Sequence, residues 1–357
     1  MGRAGRQARG HVRRTGKVAV AAAAAALCLA TPAPAGAESA AADDPAYSAT
    51  TSVGVHNAYE QATYPYFADA LDSGASLLEL DVWTNVFGPG WRVSHSNPLG
   101  NANNCENAAG PAELRTKARN QSLAGCLADM KAWHEAHPGH RPILVKVEMK
   151  DGFYGKAGRG PADLDALLGA TLGDALLRPA DVVGGHADLD QAVRAGGWPS
   201  RSALAGKFVV ELIPGTVEEN NPLDTLWTDR EYATHLRDLS AAGKLAQAAA
   251  FPAVHGAAPD DPRTRYTDAT LRPWFVLYDG DASAYVTGGI DTAWYDDRHY
   301  LLIMTDAHQV APAIDGTSPT EAQARTRVSE LAARHASFAT ADWYPLPSVL
   351  STVLPRG

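Results

Sequence analysis

Between residues 50 and 350 of this 357-residue chain, short β-rich apolar runs alternate with helix-periodic stretches, and that alternation is the strongest constraint on what it can fold into. The runs fall at 53–56, 76–82, 142–149, 207–212, 248–254, 274–279, 300–306 and 336–343, the Ala-rich 248–254 being the least strand-like. Helical patterns lie between them, around 62–73, 121–136, 161–176, 188–194, 230–245 and 319–335, the last opening on the start signal Ser318-Pro-Thr-Glu321. Strands that alternate with helices imply right-handed βαβ crossovers and a parallel sheet. Eight of them predict an α/β fold closed as a TIM-type (β/α)8 barrel. A doubly wound sheet would carry a Gly-rich phosphate loop after its first strand, where this chain has His56-Asn57-Ala58-Tyr59. No Pro/Gly-rich linker divides residues 51–350, so one barrel domain is expected there, with its chemistry at the C-terminal ends of the strands.

What precedes the barrel reads as export machinery. Residues 1–17 hold six basic residues and no acid, Val18 to Ala30 is an Ala-rich apolar run, and Ala35-Gly36-Ala37 offers small residues for cleavage. Residues 1–37 are therefore expected to be a secretory signal peptide, followed by a disordered lead-in over 38–50. Arg13-Arg14 leaves both Sec and Tat export open. Without the first 17 residues, 25 Lys and Arg face 40 acids, a formal charge of about −15. Such a balance argues against nucleic-acid partners and against simple electrostatic adhesion to anionic bilayers. No later run is long enough to cross a membrane, and a secreted protein acting as a monomer is expected. Cys105 and Cys126, an even pair in an exported chain, predict one disulfide that ties the loop after His95 to the following helix.

The run 76–82 contains two acids, Glu79 and Asp81, spaced to face the same side of a strand. Two same-side anions on an apolar strand repel each other and lose hydration, and a bound cation is the simplest reason to keep them. With Asn57 and Glu148 they offer only oxygen donors, a set suited to Ca²⁺ or Mg²⁺ and unsuited to zinc. His56 and His95 flank the same place. A divalent ion beside two imidazoles suits cleavage of a phosphodiester, by charge neutralisation and proton transfer.

At these residues the chain resembles the calcium-dependent phosphatidylinositol-specific phospholipase C family, and in particular its secreted actinobacterial branch. The matching segments are His56-Asn57-Ala58-Tyr59, Leu78-Glu79-Leu80-Asp81, Val93-Ser94-His95 and Pro142 to Glu148, together with the late Thr340 to Pro345 run. The resemblance spans about residues 50 to 346. It implies a PLC-like phosphodiesterase barrel, with His56 and His95 as the catalytic pair and one Ca²⁺ held by Asn57, Glu79, Asp81 and Glu148. It also implies attack of the inositol 2-hydroxyl on the neighbouring phosphate, with diacylglycerol and a cyclic inositol phosphate as products. His95 is then assigned to protonating the leaving oxygen and His56 to supporting the transition state. The implied partner is a phospholipid or glycerophosphodiester substrate met in transient contact with a membrane surface.

The chain departs from the family's eukaryotic members, which place lysines where Glu211 stands; an anion there disfavours polyphosphorylated head groups. Asp279, Asp306, Trp343 and Tyr344 are candidates for the substrate pocket, the two aromatics either stacking on a ring or packing the barrel rim. Lys146 shares a strand face with Glu148, so it is either that carboxylate's partner or a substrate contact. His134, His137 and His140 lack zinc-helix spacing and read as a solvated helix end. Two competing functions remain at this point. One is a glycerophosphodiester phosphodiesterase or sphingomyelinase-D-like enzyme on the same barrel, although His56-Asn57-Ala58 is unlike the His-Arg-Gly opening of those glycerophosphodiesterases. The other is a secreted binding protein on an inactive barrel.

Overall fold

The computed structural model describes residues 44–357. The expected signal peptide and residues 38–43 of the expected lead-in lie outside the described residues. Strands β1 (Thr50–Val55), β2 (Leu77–Trp83), β3 (Arg92–Val93), β4 (Ile143–Met149), β5 (Phe208–Pro214), β6 (Phe251–His255), β7 (Leu277–Asp281), β8 (Leu301–Thr305), β9 (Phe338–Ala341) and β10 (Val353–Pro355) form one sheet. All strands but β3 and β10 pair in parallel, in the ring β1-β2-β4-β5-β6-β7-β8-β9, and β9 returns to β1 to close it. These eight are the predicted strands, the Ala-rich one beginning at Phe251 after a turn. Closure needs Gly54 on β1, where a Cβ would lie 2.8 Å from both Leu77 Cβ and Thr340 Cγ2.

Around the barrel run α1 (Phe67–Asp72), α2 (Leu123–Ala136), α3 (Pro161–Leu172), α4 (Pro179–Val183), α5 (Leu189–Gly196), α6 (Thr216–Glu219) and α7 (Thr228–Ala241). They continue with α8 (Ala282–Thr287), α9 (Ala293–Asp296), α10 (Glu321–Ala332) and α11 (Pro347–Leu350). The start signal before 319–335 is realised two residues along, with Thr320 as N-cap accepting from the Gln323 amide and Gln323 reaching back. Between β6 and β7 the crossover is made of 3₁₀ turns rather than a long helix, in keeping with the absence of a helical pattern there.

Along β4 the period-2 rule separates two functions. Val145, Val147 and Met149 face outward into the hydrophobic core, while Lys146 and Glu148 face the barrel axis and line the cavity at its mouth. Outward apolar residues on every strand bury the helices' apolar faces, which leaves the axis free for polar groups at the C-terminal end.

Two segments differ from expectation. Residues 44–50 are ordered against the barrel: Tyr47 is 2% exposed, its amide donates to Pro199 O, and Ala46 bridges Ser200. Its ring is the physical reason, packing edge-on against Trp198 and Phe338. The histidine run after α2 is not solvated throughout. His140 is buried between Trp133 and Phe208, and its Nδ1 bonds Arg141 O, while His137 stacks on Trp133 from outside.

Candidate active site

Strand register assembles the site. The β2–β4 ladder sets Glu79 opposite Lys146 and Asp81 opposite Glu148, and the β4–β5 ladder sets Lys146 opposite Glu211. Two polar layers result. In the lower one the Lys146 ammonium lies 3.3 Å from Glu79 Oε1 and 3.0 Å from Asp279 Oδ2. In the upper one the Lys150 ammonium lies 2.7 Å from Glu148 Oε1 and 3.2 Å from Asp81 Oδ2. Lys146 is thus the partner of Glu79 and Asp279, and Glu148 pairs with Lys150, a residue to which the sequence gave no role.

Glu79, Asp81 and Glu148 each bring one carboxylate oxygen within 4.8 Å of the others. Asp81 is 1% exposed, and neither of its oxygens finds a hydrogen bond. Burial, with Glu79 and Glu148 beside it, pushes the Asp81 carboxyl up to about 8 despite Lys150. A buried carboxylate whose oxygens lack hydrogen bonds, next to two more, is a donor set that fits a hard divalent cation. Asn57 extends it. This residue sits in the left-handed region (φ 51°), which asparagine tolerates, and its backbone N–H donates to Glu79 Oε2 at 3.1 Å. Its Oδ1 accepts from the Tyr59 hydroxyl at 2.9 Å. Tyr59 is fully buried and also lies 3.4 Å from His95 Nδ1.

The two imidazoles stand above the carboxylates, both about half exposed. His56 turns Nε2 toward Glu79 Oε2 at 3.5 Å and Nδ1 toward Asp342 Oδ1 at 3.1 Å. Burial opposes its charge, but Glu79 and Asp342 outweigh burial and raise the imidazole to about 9. His95 arrives on the β2–β3 hairpin. Val93 pairs with Val82, the Ser94 amide donates to Asp81 O, and Trp83 Nε1 donates to Ser94 O. His95 Nδ1 then lies 3.3 Å from Asn57 Oδ1 and 3.5 Å from Asp81 Oδ2. The loop beyond is held by the Cys105–Cys126 disulfide and by Asn103, which donates to Val93 O and accepts from the Cys105 amide.

An open cavity of about 160 Å³ lies beside these groups. His56, Glu79, Lys146, Glu148, Asp279 and Asp306 line it, as expected or suggested by their strand-end positions, and Asp342 lines it with them. His255 lines it as well, anchored through Nδ1 to Glu219 at 2.8 Å. Three expectations are corrected. Glu211 is fully buried below Lys146 and does not line the cavity, so it does not meet a head group; burial and Asp279 raise its carboxyl well above the carboxylate range. Trp343 is fully buried, its Nε1 donating to Asp315 O, and Tyr344 packs edge-on against Tyr64. Neither aromatic reaches the cavity. Asp342 as the orienting partner of His56, Tyr59, Lys150 and the His255–Glu219 pair were missed; the one available signal was Tyr59's place in the His56–Tyr59 segment.

Fold and site together define a parallel β/α barrel with a cluster of oxygen donors that fits a cation, flanked by two imidazoles. A family model described as phosphoinositide phospholipase C, Ca²⁺-dependent, matches residues 112–233. The chain is 72% identical to a Ca²⁺-dependent phosphatidylinositol-specific phospholipase C from Streptomyces antibioticus, with TM-score 0.86, covering 87% of this chain and 99% of that one. A calcium-dependent phosphoinositol-specific phospholipase C from a Gram-negative Pseudomonas species shares the fold, at 20% identity and TM-score 0.64 over 87% of this chain and 96% of that one. No curated protein matches the chain. The chain belongs to the Ca²⁺-dependent phosphatidylinositol-specific phospholipase C family.

Proposed function

We propose that this chain is a secreted Ca²⁺-dependent phosphatidylinositol-specific phospholipase C. The observation that carries the reading is the Glu79–Asp81–Glu148 cluster beneath two oriented imidazoles, in a chain 72% identical to an enzyme of that name. Glu79, Asp81, Glu148 and Asn57 would hold the ion, which supplies charge neutralisation on the phosphoryl oxygens and acidifies an attacking hydroxyl. His56, kept protonated by Glu79 and Asp342, donates a hydrogen bond to charge developing on the phosphate. His95 is held through Nδ1 by Asn57, Tyr59 and Asp81, and Nε2 is the atom left to protonate the departing glycerol oxygen. A ring hydroxyl beside the phosphate is the nucleophile, its proton passing to one of the clustered carboxylates of Glu79, Asp81 and Glu148, and a cyclic inositol phosphate and diacylglycerol are the products. With Glu211 out of reach, discrimination against extra ring phosphates falls to the acids that do line the cavity, Asp279, Asp306 and Asp342.

No helix among the described residues is long and apolar enough to cross a membrane. Contact with the lipid surface is assigned to the loops around the mouth, where Phe87 is 102% exposed, Leu99 78%, Leu223 90% and Trp227 37%. Apolar side chains that solvent surrounds so fully suit insertion among acyl chains. Export is supported by the signal-like residues 1–37 and the disulfide, and action as a monomer by a site built wholly from one chain.

The test is the product profile of the purified protein on phosphatidylinositol and on glycerophosphodiesters, with and without EGTA. EGTA-reversible release of diacylglycerol, with a cyclic inositol phosphate as first product, is expected. Release of glycerophosphate from soluble diesters in its place would overturn the reading.

A further inference from the structure

We infer that Lys150 is a tethered counter-cation of the calcium site, one that gathers the carboxylates when the ion is absent and weakens the ion's binding by competing for the same oxygens. The inference rests on the metal reading of Glu79, Asp81 and Glu148. Lys150 follows β4 directly, two residues after Glu148, on the same face of the chain. Its backbone is fixed on both sides: the amide donates to Val82 O at 2.8 Å and the carbonyl accepts from the Glu218 amide at 2.9 Å. The side chain is 7% exposed, and its ammonium touches two of the three clustered carboxylates, Asp81 and Glu148.

The other lysine of the site is engaged differently. Lys146 lies one layer down, shared by Glu79 and Asp279, so it braces Glu79 without standing between Asp81 and Glu148. Lys150 therefore supplies positive charge at the oxygens the ion needs. An ammonium reaches at most one charge to this group of three carboxylates, on a flexible four-carbon stem. A divalent ion brings twice that charge and several ligand positions, and it takes Asp81 and Glu148 as Lys150 yields them. The contact of Lys150 with Asp81 lacks hydrogen-bond geometry, so that half of its hold is given up at small cost.

Two effects of opposite sign follow from removing the charge. Without the ammonium the ion-free protein keeps unbalanced carboxylates and melts at lower temperature. The ion meets no competitor and binds more tightly, since ligand charge sets affinity at oxygen-donor sites. The experiment measures Ca²⁺ binding by calorimetry, and melting in EGTA and in excess Ca²⁺, for the wild type, Lys150→Met, Lys150→Gln and Lys150→Arg. The inference expects the Met and Gln variants to bind Ca²⁺ at least about tenfold more tightly and to melt lower in EGTA, while the Arg variant stays near wild type. Unchanged or weaker Ca²⁺ binding in both neutral variants, with binding intact in the wild type, overturns the role of Lys150 and leaves the metal reading standing. A wild type that binds no Ca²⁺ overturns both. Should Lys150→Met not fold, the neutral, polar Gln variant carries the same comparison.

Discussion

His56 and His95 differ in how the protein holds them, and their variants should differ accordingly. His95 is assigned the proton transfer, so His95→Ala should lower kcat by about 10²–10⁴-fold on phosphatidylinositol while Ca²⁺ binding persists. Asp342 acts through His56, as the partner of its Nδ1. Asp342→Asn should cost about tenfold in kcat, smaller than the loss in His56→Ala, in the same assay. Glu79, Asp81 and both histidines were legible in the sequence because two acids on one strand face demand an explanation. Asp342 was not legible as their partner. It lies 286 residues from His56, and only closure of the barrel joins them. The role of Lys150 was hidden for a related reason. Lys146, Glu148 and Lys150 share one strand face, and which lysine meets which acid depends on the register between β2 and β4, which no local pattern specifies.

At the scale of elements, the site depends on how closely strand ends approach one another. The loop after β5 passes the end of β4 at Gly215, where a Cβ would fall 2.5 Å from Lys150 Cα and 2.6 Å from Met149 O. Gly215→Ala should destabilise the fold by about 1–3 kcal/mol in urea denaturation, and it should also shift Ca²⁺ affinity, because the displaced backbone carries Glu148 and Lys150. At the other end of the barrel, burial pushes the His140 imidazole down to about 4 from its ordinary 6.5. The unfolded chain takes up this proton below pH 6.5, and the folded chain refuses it until about pH 4. Stability from this group is therefore complete above pH 6.5 and declines as pH falls toward 4. Between pH 7 and 4.5 the wild type should lose about 2 kcal/mol more than His140→Phe in parallel denaturation curves. All eight barrel strands could be read from apolar runs, and the run from Arg92 to His95 reads as a short strand too, realised as β3, but nothing in it specifies the antiparallel pairing with β2. Arg92-Val93 alone is too short to carry a period, yet that hairpin delivers His95.

At the scale of the whole molecule, Phe87, Leu99 and Leu223 are exposed apolar side chains on the loops that follow β2, β3 and β5. A Phe87→Ser, Leu99→Ser, Leu223→Ser variant should bind phosphatidylinositol vesicles at least about tenfold more weakly in sedimentation and keep near wild-type kcat on a soluble short-chain analogue. The sequence could not mark these residues, because an isolated Phe or Leu in a loop looks the same whether it is buried or bare. The disulfide closes a separation of 21 residues, and Cys105→Ser with Cys126→Ser should lower stability by about 3 kcal/mol in urea denaturation.

The last strand has a consequence in time. β10 lies along β1, and the next residue, Arg356, is buried with its guanidinium donating to carbonyls of Ser48, Tyr300 and His335. The first strand of the ring is thus clasped by residues more than 300 positions later, so this clasp cannot be fastened until residues 353–356 have been made. Contacts that join residues so far apart in sequence should make closure of the barrel slow compared with a fold built from local contacts.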